Sequence, residues 1–398
     1  MKNFYKILWI QGLIDFAISA YFIFVSWQLY HDTENALYAG LLVGLGFLPS
    51  FLSNLYFGVL VDQYNKKLLL FIALIIMAMT LLIVFLMVNK SVPVLYIFTH
   101  MVVQLCGSLI RPAMQAYVAS IFSKEQFLFI FTKSTTFTIS GGIVGAFIGS
   151  LLVTKSLILV LSLIILVPIM ISIWLLSTLP TVKPLEHRQK QTVIKEVISG
   201  FQYCFTNSYF LQLLILMAIG QVIYHTTLGF LAAYVYDILH STAIVYGALN
   251  LFFSTGGILV GIFSVRITKY LKNWFPIVAT GILTLCLFSL AIQVPLTFVA
   301  ISCIGIGYCT TWIRTNLQAI QQSSTQEQFH GRTASIRMFL NQGSVVCLSP
   351  IVGYFAQQQS IHIVFIILSC ISIVGITISI RLMKNKQFTL TLHKFKNS

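Results

Sequence analysis

Asp15, Arg111 and Arg314 are ionisable side chains set inside runs of apolar residues, where a charge is costly unless it has a partner or a task. Asp15 stands in Gln11-Gly-Leu-Ile-Asp15-Phe. Apolar surroundings favour the neutral form of a carboxyl, so this group suits reversible protonation and hence proton coupling. A static ion pair with Lys133 or Arg337 is the competing reading. Arg111 opens Arg111-Pro-Ala-Met-Gln115-Ala116, and Arg314 opens Arg314-Thr-Asn-Leu-Gln318-Ala319. A guanidinium presents a planar fork that holds a carboxylate through two parallel hydrogen bonds. Two of them facing one cavity, with Gln115 and Gln318 one turn further on, suit an anionic substrate. Each arginine has a plainer alternative: snorkelling to the membrane interface or pairing with an acid at a helix end. His225, in Gly220-Gln-Val-Ile-Tyr224-His225-Thr-Thr, is a further proton or ligand partner, or else a packing histidine. His100 carries the same two readings, and Asp237 reads as a solvated helix-end residue.

The elements that must position these groups follow from composition. The chain has 398 residues, of which 58% are hydrophobic and 8% charged, against roughly 25% charged in soluble domains. Mean hydropathy is +0.92. So few charges cannot cover the surface of a soluble globule, so a bilayer solvates most of the chain. Soluble enzymes, nucleic-acid binders and disordered scaffolds are thereby excluded. About twelve apolar segments are long enough to span, each needing about 20 residues. They are predicted at 7–30, 37–61, 68–88, 93–119, 128–152, 156–179, 209–238, 243–267, 275–292, 296–319, 333–356 and 362–382. The first has no small-residue cleavage site behind it and is read as a span rather than a leader. The hydrophilic stretch 180–208 separates a six-helix bundle over 1–179 from a second over 209–383, with a basic tail over 384–398. Trp9, Trp27, Trp174 and Trp312 are candidate interfacial anchors.

The excess of 24 Lys and Arg over 9 Asp and Glu reflects topology. With both termini cytoplasmic, nearly all cations fall inside, from Lys2 to Lys396, and only Lys90 and Lys155 outside. The expected location is therefore the cell membrane, crossed many times. The seven cysteines form no Cys-x-x-Cys pair and no Cys/His cluster, so neither a metal site nor a disulfide framework is expected.

The halves echo each other at a fixed offset. Arg111 is answered by Arg314, Glu125-Gln126-Phe127 by Glu327-Gln328-Phe329, and Gly58 by Gly261, each about 203 positions later. Such a repeat predicts two bundles related by a pseudo-twofold axis.

Gly58-Val-Leu-Val-Asp62-Gln-Tyr-Asn-Lys66-Lys67 resembles the loop signature of the major facilitator superfamily, Gly-x-x-x-Asp-(Arg/Lys)-x-Gly-(Arg/Lys)-(Arg/Lys). It departs from that pattern at Gln63 and Asn65. The resemblance implies an all-α membrane protein of twelve helices in two six-helix bundles. It also implies that Gly58, Asp62, Lys66 and Lys67 belong to a gating latch, with Asp62 facing the start of the eleventh helix, where Arg332 lies. A solvated turn is the competing reading. Gly141-Gly142-Ile-Val-Gly145-Ala-Phe-Ile-Gly149-Ser150 resembles the antiporter signature Gly-x-x-x-Gly-Pro-x-x-Gly-Gly of exporters in that superfamily, with Ala146 and Ser150 as departures. Small residues four apart equally make a face for tight helix packing. The local texture is similar to the macrolide-efflux and enterobactin-exporter branch.

These readings predict a proton-driven exporter, and neither an enzyme nor a channel. No phosphate-binding glycine loop is present, so ATP and other cofactors are not expected. The expected partners are a small-molecule substrate, protons and the bilayer, without nucleic acid or an obligate protein partner. The paired arginines favour an anionic amphiphile such as a siderophore or a staphylopine-type metallophore. A macrolide or multidrug efflux pump is the alternative, to which 32 Phe and 17 Tyr lend an apolar, aromatic pocket.

Overall fold

A computed structural model of the chain describes residues 2–87, 92–122, 124–153, 158–181, 201–325 and 330–397. Those residues fold into helices throughout. In chain order they are α1 (Lys2–Thr33), α2 (Ala36–Gln63), α3 (Lys66–Met87), α4 (Pro93–Ile121), α5 (Lys124–Val153), α6 (Ile158–Ser177), α7 (Ser208–Asp237), α8 (Ala243–Leu271), α9 (Phe275–Ala291), α10 (Leu296–Ser324), α11 (His330–Gln358), α12 (His362–Met383) and α13 (Lys386–Asn397). Among the described residues nine stretches are long and apolar enough to cross a membrane, one of them covering both α8 and α9. Shorter apolar stretches in α5 and α6 complete twelve membrane helices. In hydrocarbon a backbone must satisfy its own hydrogen bonds, and the helix does so within one segment.

The helix starts are written locally. The Asn35 side chain accepts from the Leu37 amide at 2.9 Å and begins α2. Asn207 does the same for the Tyr209 amide at 3.0 Å and begins α7. Asn65, where the family loop pattern has glycine, accepts from the Lys67 amide at 3.0 Å and caps α3. Proline opens α4 and α9, where its missing N–H costs nothing.

The chain divides into two compact units: Met1–Arg188 with Ser241–Ala248, and Gln189–His240 with Leu249–Ser398. In the first, α5 lies directly against α1. A Cβ on Gly141, Gly145 or Gly149 would run into the backbone of Gly12, Phe16 or Ala20 respectively. Both series rise by four, so the two helices run parallel with one face of α5 reduced to bare backbone. In the second unit Gly256 meets the backbone of Ile304 and Tyr308, and Gly307 meets that of Phe253, bringing α8 against α10 in the same manner.

Two expectations about aromatic anchors are corrected. Trp9 and Trp174 are exposed, as anchors should be, but Trp27 and Trp312 are buried. The Trp312 indole donates to the Thr268 hydroxyl at 2.9 Å, so its polar atom is satisfied without the interface. The tail 384–398 carries α13, which seats Phe388 against Phe275, ring centroids 6.1 Å apart. The central stretch 180–208 lies mostly outside the described residues.

Candidate functional site

The first unit holds a cavity of about 170 Å³ whose polar wall comes from three helices. Helix α1 supplies Gln11 and Asp15, α4 supplies Arg111 and Gln115, and α5 supplies Ser134 and Thr138. Each is a pair four residues apart, so each helix presents two successive turns of one face. The glycine face of α5 is what makes this convergence possible. Ser134 and Thr138 continue that face beyond Gly141, and close packing on α1 brings the Thr138 hydroxyl to the Asp15 carboxylate.

The cation facing Asp15 across the cavity is Arg111, and Arg337 bonds elsewhere. No ion pair within 4 Å is found between Asp15 and Arg111. Asp15 and Arg111 therefore stand further apart than a direct salt bridge, with the cavity between them. Arg111 and Gln115 are exposed to that space, while Asp15 is half-buried.

In the second unit Arg314 of α10 forms a different cluster. Its Nη1 donates to Gln221 Oε1 of α7 at 2.5 Å. Its guanidinium lies over the Tyr224 ring, 4.4 Å from the centroid, which supplies a cation–π contact. His225 packs edge-on to Tyr224 at 4.9 Å, and Phe253 closes the other side at 5.1 Å. Gly220 leaves room for the arginine stem, whose Cγ would lie 3.3 Å from an added Cβ. The Arg314 Nε is buried without a hydrogen-bond partner. Gln318, one turn on, is half-buried.

Arg337, a sequence candidate for pairing with Asp15, instead donates to Gln321 Oε1 at 3.1 Å and is buried. Gln321 stands seven residues beyond Arg314 on the same face of α10. That spacing, two full turns, was the sequence signal that could have found it. Thr138 and Ser134 were legible in the same way, as one and two turns below Gly141 on α5. His100 is buried, with its ring against Gly46 and stacked on Tyr21 at 6.1 Å, which is packing. At the loop after α2, Lys66 is buried. Lys67 donates to the carbonyls of Ser177 at 3.0 Å and Leu179 at 2.5 Å, where it compensates the negative end of α6. Gly58 lies within α2, which continues past it to Gln63. The side chains of Asp62 and Arg332 lie outside the described residues.

Residues 7–346 match the family described as Major Facilitator Superfamily. Comparison of the sequence with curated proteins returns no match. Several solved structures share the fold. A bacterial homologue of the iron transporter ferroportin in an inward-facing state is 12% identical, with 96% of this chain and 99% of that chain covered and a TM-score of 0.77. The nucleoside transporter NupG is 14% identical, with 97% and 100% covered and a TM-score of 0.75. A bacterial homologue of the human lysosomal transporter Spinster is 12% identical, with 99% and 97% covered and a TM-score of 0.70. At such identities the likeness is one of fold.

Proposed function

The chain belongs to the major facilitator superfamily and is a multi-pass membrane transporter rather than an enzyme; from that premise we propose that it is a proton-driven exporter of a small anionic amphipathic molecule. The substrate class is a metal chelator of the siderophore or metallophore kind, staphylopine-type chelators included.

The observation that carries this reading is the charge balance around Arg314. From Ile238 to Ser398 the chain has eleven Lys and Arg and a single acid, Glu327. Arg314 meets a glutamine and a tyrosine ring, and no carboxylate lies within 4 Å among the described residues. A half-buried charge lacking a counter-ion is costly, and an anionic ligand offsets that cost. Its Nε is a donor without an acceptor, which a carboxylate or catecholate oxygen supplies. In the first unit Arg111 and Gln115 offer a second set of donors, and Asp15 is the proton-exchanging group. The export direction rests on the resemblance of the Gly141, Gly145 and Gly149 face and of the Gly58–Lys67 loop to exporters. Gly58, Asp62, Lys66 and Lys67 serve as the latch, with both termini at the cytoplasmic face.

The aromatic surround of Arg314, with Tyr224 under its guanidinium and Phe253 and His225 packed on that ring, favours a second reading as a macrolide or multidrug pump. Deleting the transporter separates the two. Under the first reading an anionic chelator accumulates in cells and falls in the medium, and wild-type protein restores it while an Arg111→Gln/Arg314→Gln variant does not. Unchanged chelator partition with loss of macrolide tolerance would overturn the first reading in favour of the second.

A further inference from the structure

The outward face of α8 ends in a cavity of about 470 Å³ lined by Ile262, Phe263, Val265, Arg266 and Lys269. Ile262, Arg266 and Lys269 lie on one helical face, at intervals of four and three residues. At 1.5 Å per residue the seven steps from Ile262 to Lys269 span about 10 Å along the helix axis. The lower half of the cavity is therefore apolar and the upper half cationic. Ile262 and Val265 are among the most exposed aliphatic side chains of the unit, which places them against acyl chains in a membrane protein. Tyr270 and Trp274, both exposed, follow at the level where amphipathic aromatic rings mark the membrane interface.

More cations gather at the same end of the unit. Lys272 is exposed in the short turn between α8 and α9. The next residue, Asn273, donates to the Thr389 hydroxyl of α13 at 2.9 Å, and Phe275 packs on Phe388. These contacts dock α13 on the turn and bring its exposed leading lysines, Lys384 and Lys386, to that end. No acid lies between Ile238 and Gln326, nor after Glu327. Among the described residues no carboxylate lies within 4 Å of Arg266 or Lys269.

We propose that this face of α8 is a binding site for one anionic phospholipid. Its phosphate sits on Arg266 and Lys269, with Lys272 beside them, and an acyl chain lies along Ile262, Phe263 and Val265. Charge complementarity and the apolar-to-cationic order along the helix both match that ligand. The site rests on the cytoplasmic placement of this end, and is independent of which substrate is carried.

The test uses the full chain in lipid nanodiscs or in detergent, with phosphatidylglycerol added and binding read by native mass spectrometry. A surface cation contributes about a fivefold gain in affinity for an anionic leaflet, so Arg266→Gln/Lys269→Gln should weaken binding roughly thirtyfold. The charge-preserving pair Arg266→Lys/Lys269→Arg should retain it, and soluble glycerol phosphate should not compete at matched concentration. Phosphatidylglycerol binding unchanged in the glutamine pair would overturn the proposal, as would loss in the charge-preserving pair. Full competition by glycerol phosphate would show an anion site without lipid and would overturn it as well. Transport assays play no part in this readout, so failure of the substrate assignment leaves it standing.

Discussion

Replacing Arg314 tests the substrate assignment most directly, because its surroundings set the size of the effect. One edge of the guanidinium is already engaged: Nη1 donates to Gln221 at 2.5 Å. One face is also engaged, by Tyr224 at 4.4 Å. The edge carrying the unpartnered Nε is left for a ligand, and with Nη2 it makes the fork that grips a carboxylate through two bonds. Each charge-assisted hydrogen bond contributes about 1.5–3 kcal/mol. Arg314→Lys keeps the charge but supplies at most one of the two bonds, since an ammonium lacks the planar fork. Affinity should fall about tenfold to a hundredfold. Arg314→Gln removes the charge and both bonds and should fall further. The assay is equilibrium binding of radiolabelled citrate, as a polycarboxylate probe, to the purified transporter, with erythromycin as a neutral comparison. Ordered loss of citrate binding, wild type over Lys over Gln, with erythromycin unaffected, is the expected result. Citrate binding that survives in the Gln variant would refute the reasoning. Equal loss of both ligands with a lowered melting temperature would refute it too, and would make Arg314 a structural cation.

Asp15→Asn should abolish accumulation against a gradient while permitting substrate exchange across the membrane; equal loss of both, with reduced protein level, would identify a structural group instead. Gly145→Ala places a methyl against the Phe16 backbone and should destabilise by about 1–3 kcal/mol, lowering the melting temperature by roughly 1–4 °C. Gly281→Ala meets nothing within 4 Å and should be neutral or stabilising by about 0.5–1 kcal/mol, so a matching fall in both variants would sink the packing account. A single cysteine at Lys90 should react with an impermeant reagent added outside, and one at Arg188 only after permeabilisation; the reverse pattern would invert the topology.

Much of this architecture was readable in one dimension because the bilayer constrains it locally. The predicted span 275–292 is observed as Phe275–Ala291, and 362–382 as His362–Met383. An apolar run must be helical in hydrocarbon, and it ends where charges, prolines and asparagine caps allow. The spacing of Arg111 and Gln115, and of Arg314 and Gln318, likewise placed each pair on one helical face before any fold was known. Periodicity says that a face exists, and it does not say what that face meets.

Partner choice was decided by packing between helices distant in sequence. Arg337 was a reasonable partner for Asp15 by charge, yet it bonds Gln321, while Arg111 faces Asp15 across the cavity. Trp312 had the composition of an interfacial anchor and became core because Thr268 satisfies its N–H. The sequence by itself determined the helices, their ends and the burial of charged groups in them, since each follows from local hydrogen bonding and transfer free energy. Which side chains share a cavity was decided only in three dimensions, by glycine faces such as Gly141–Gly149 that let one backbone rest on another and so set the register between helices.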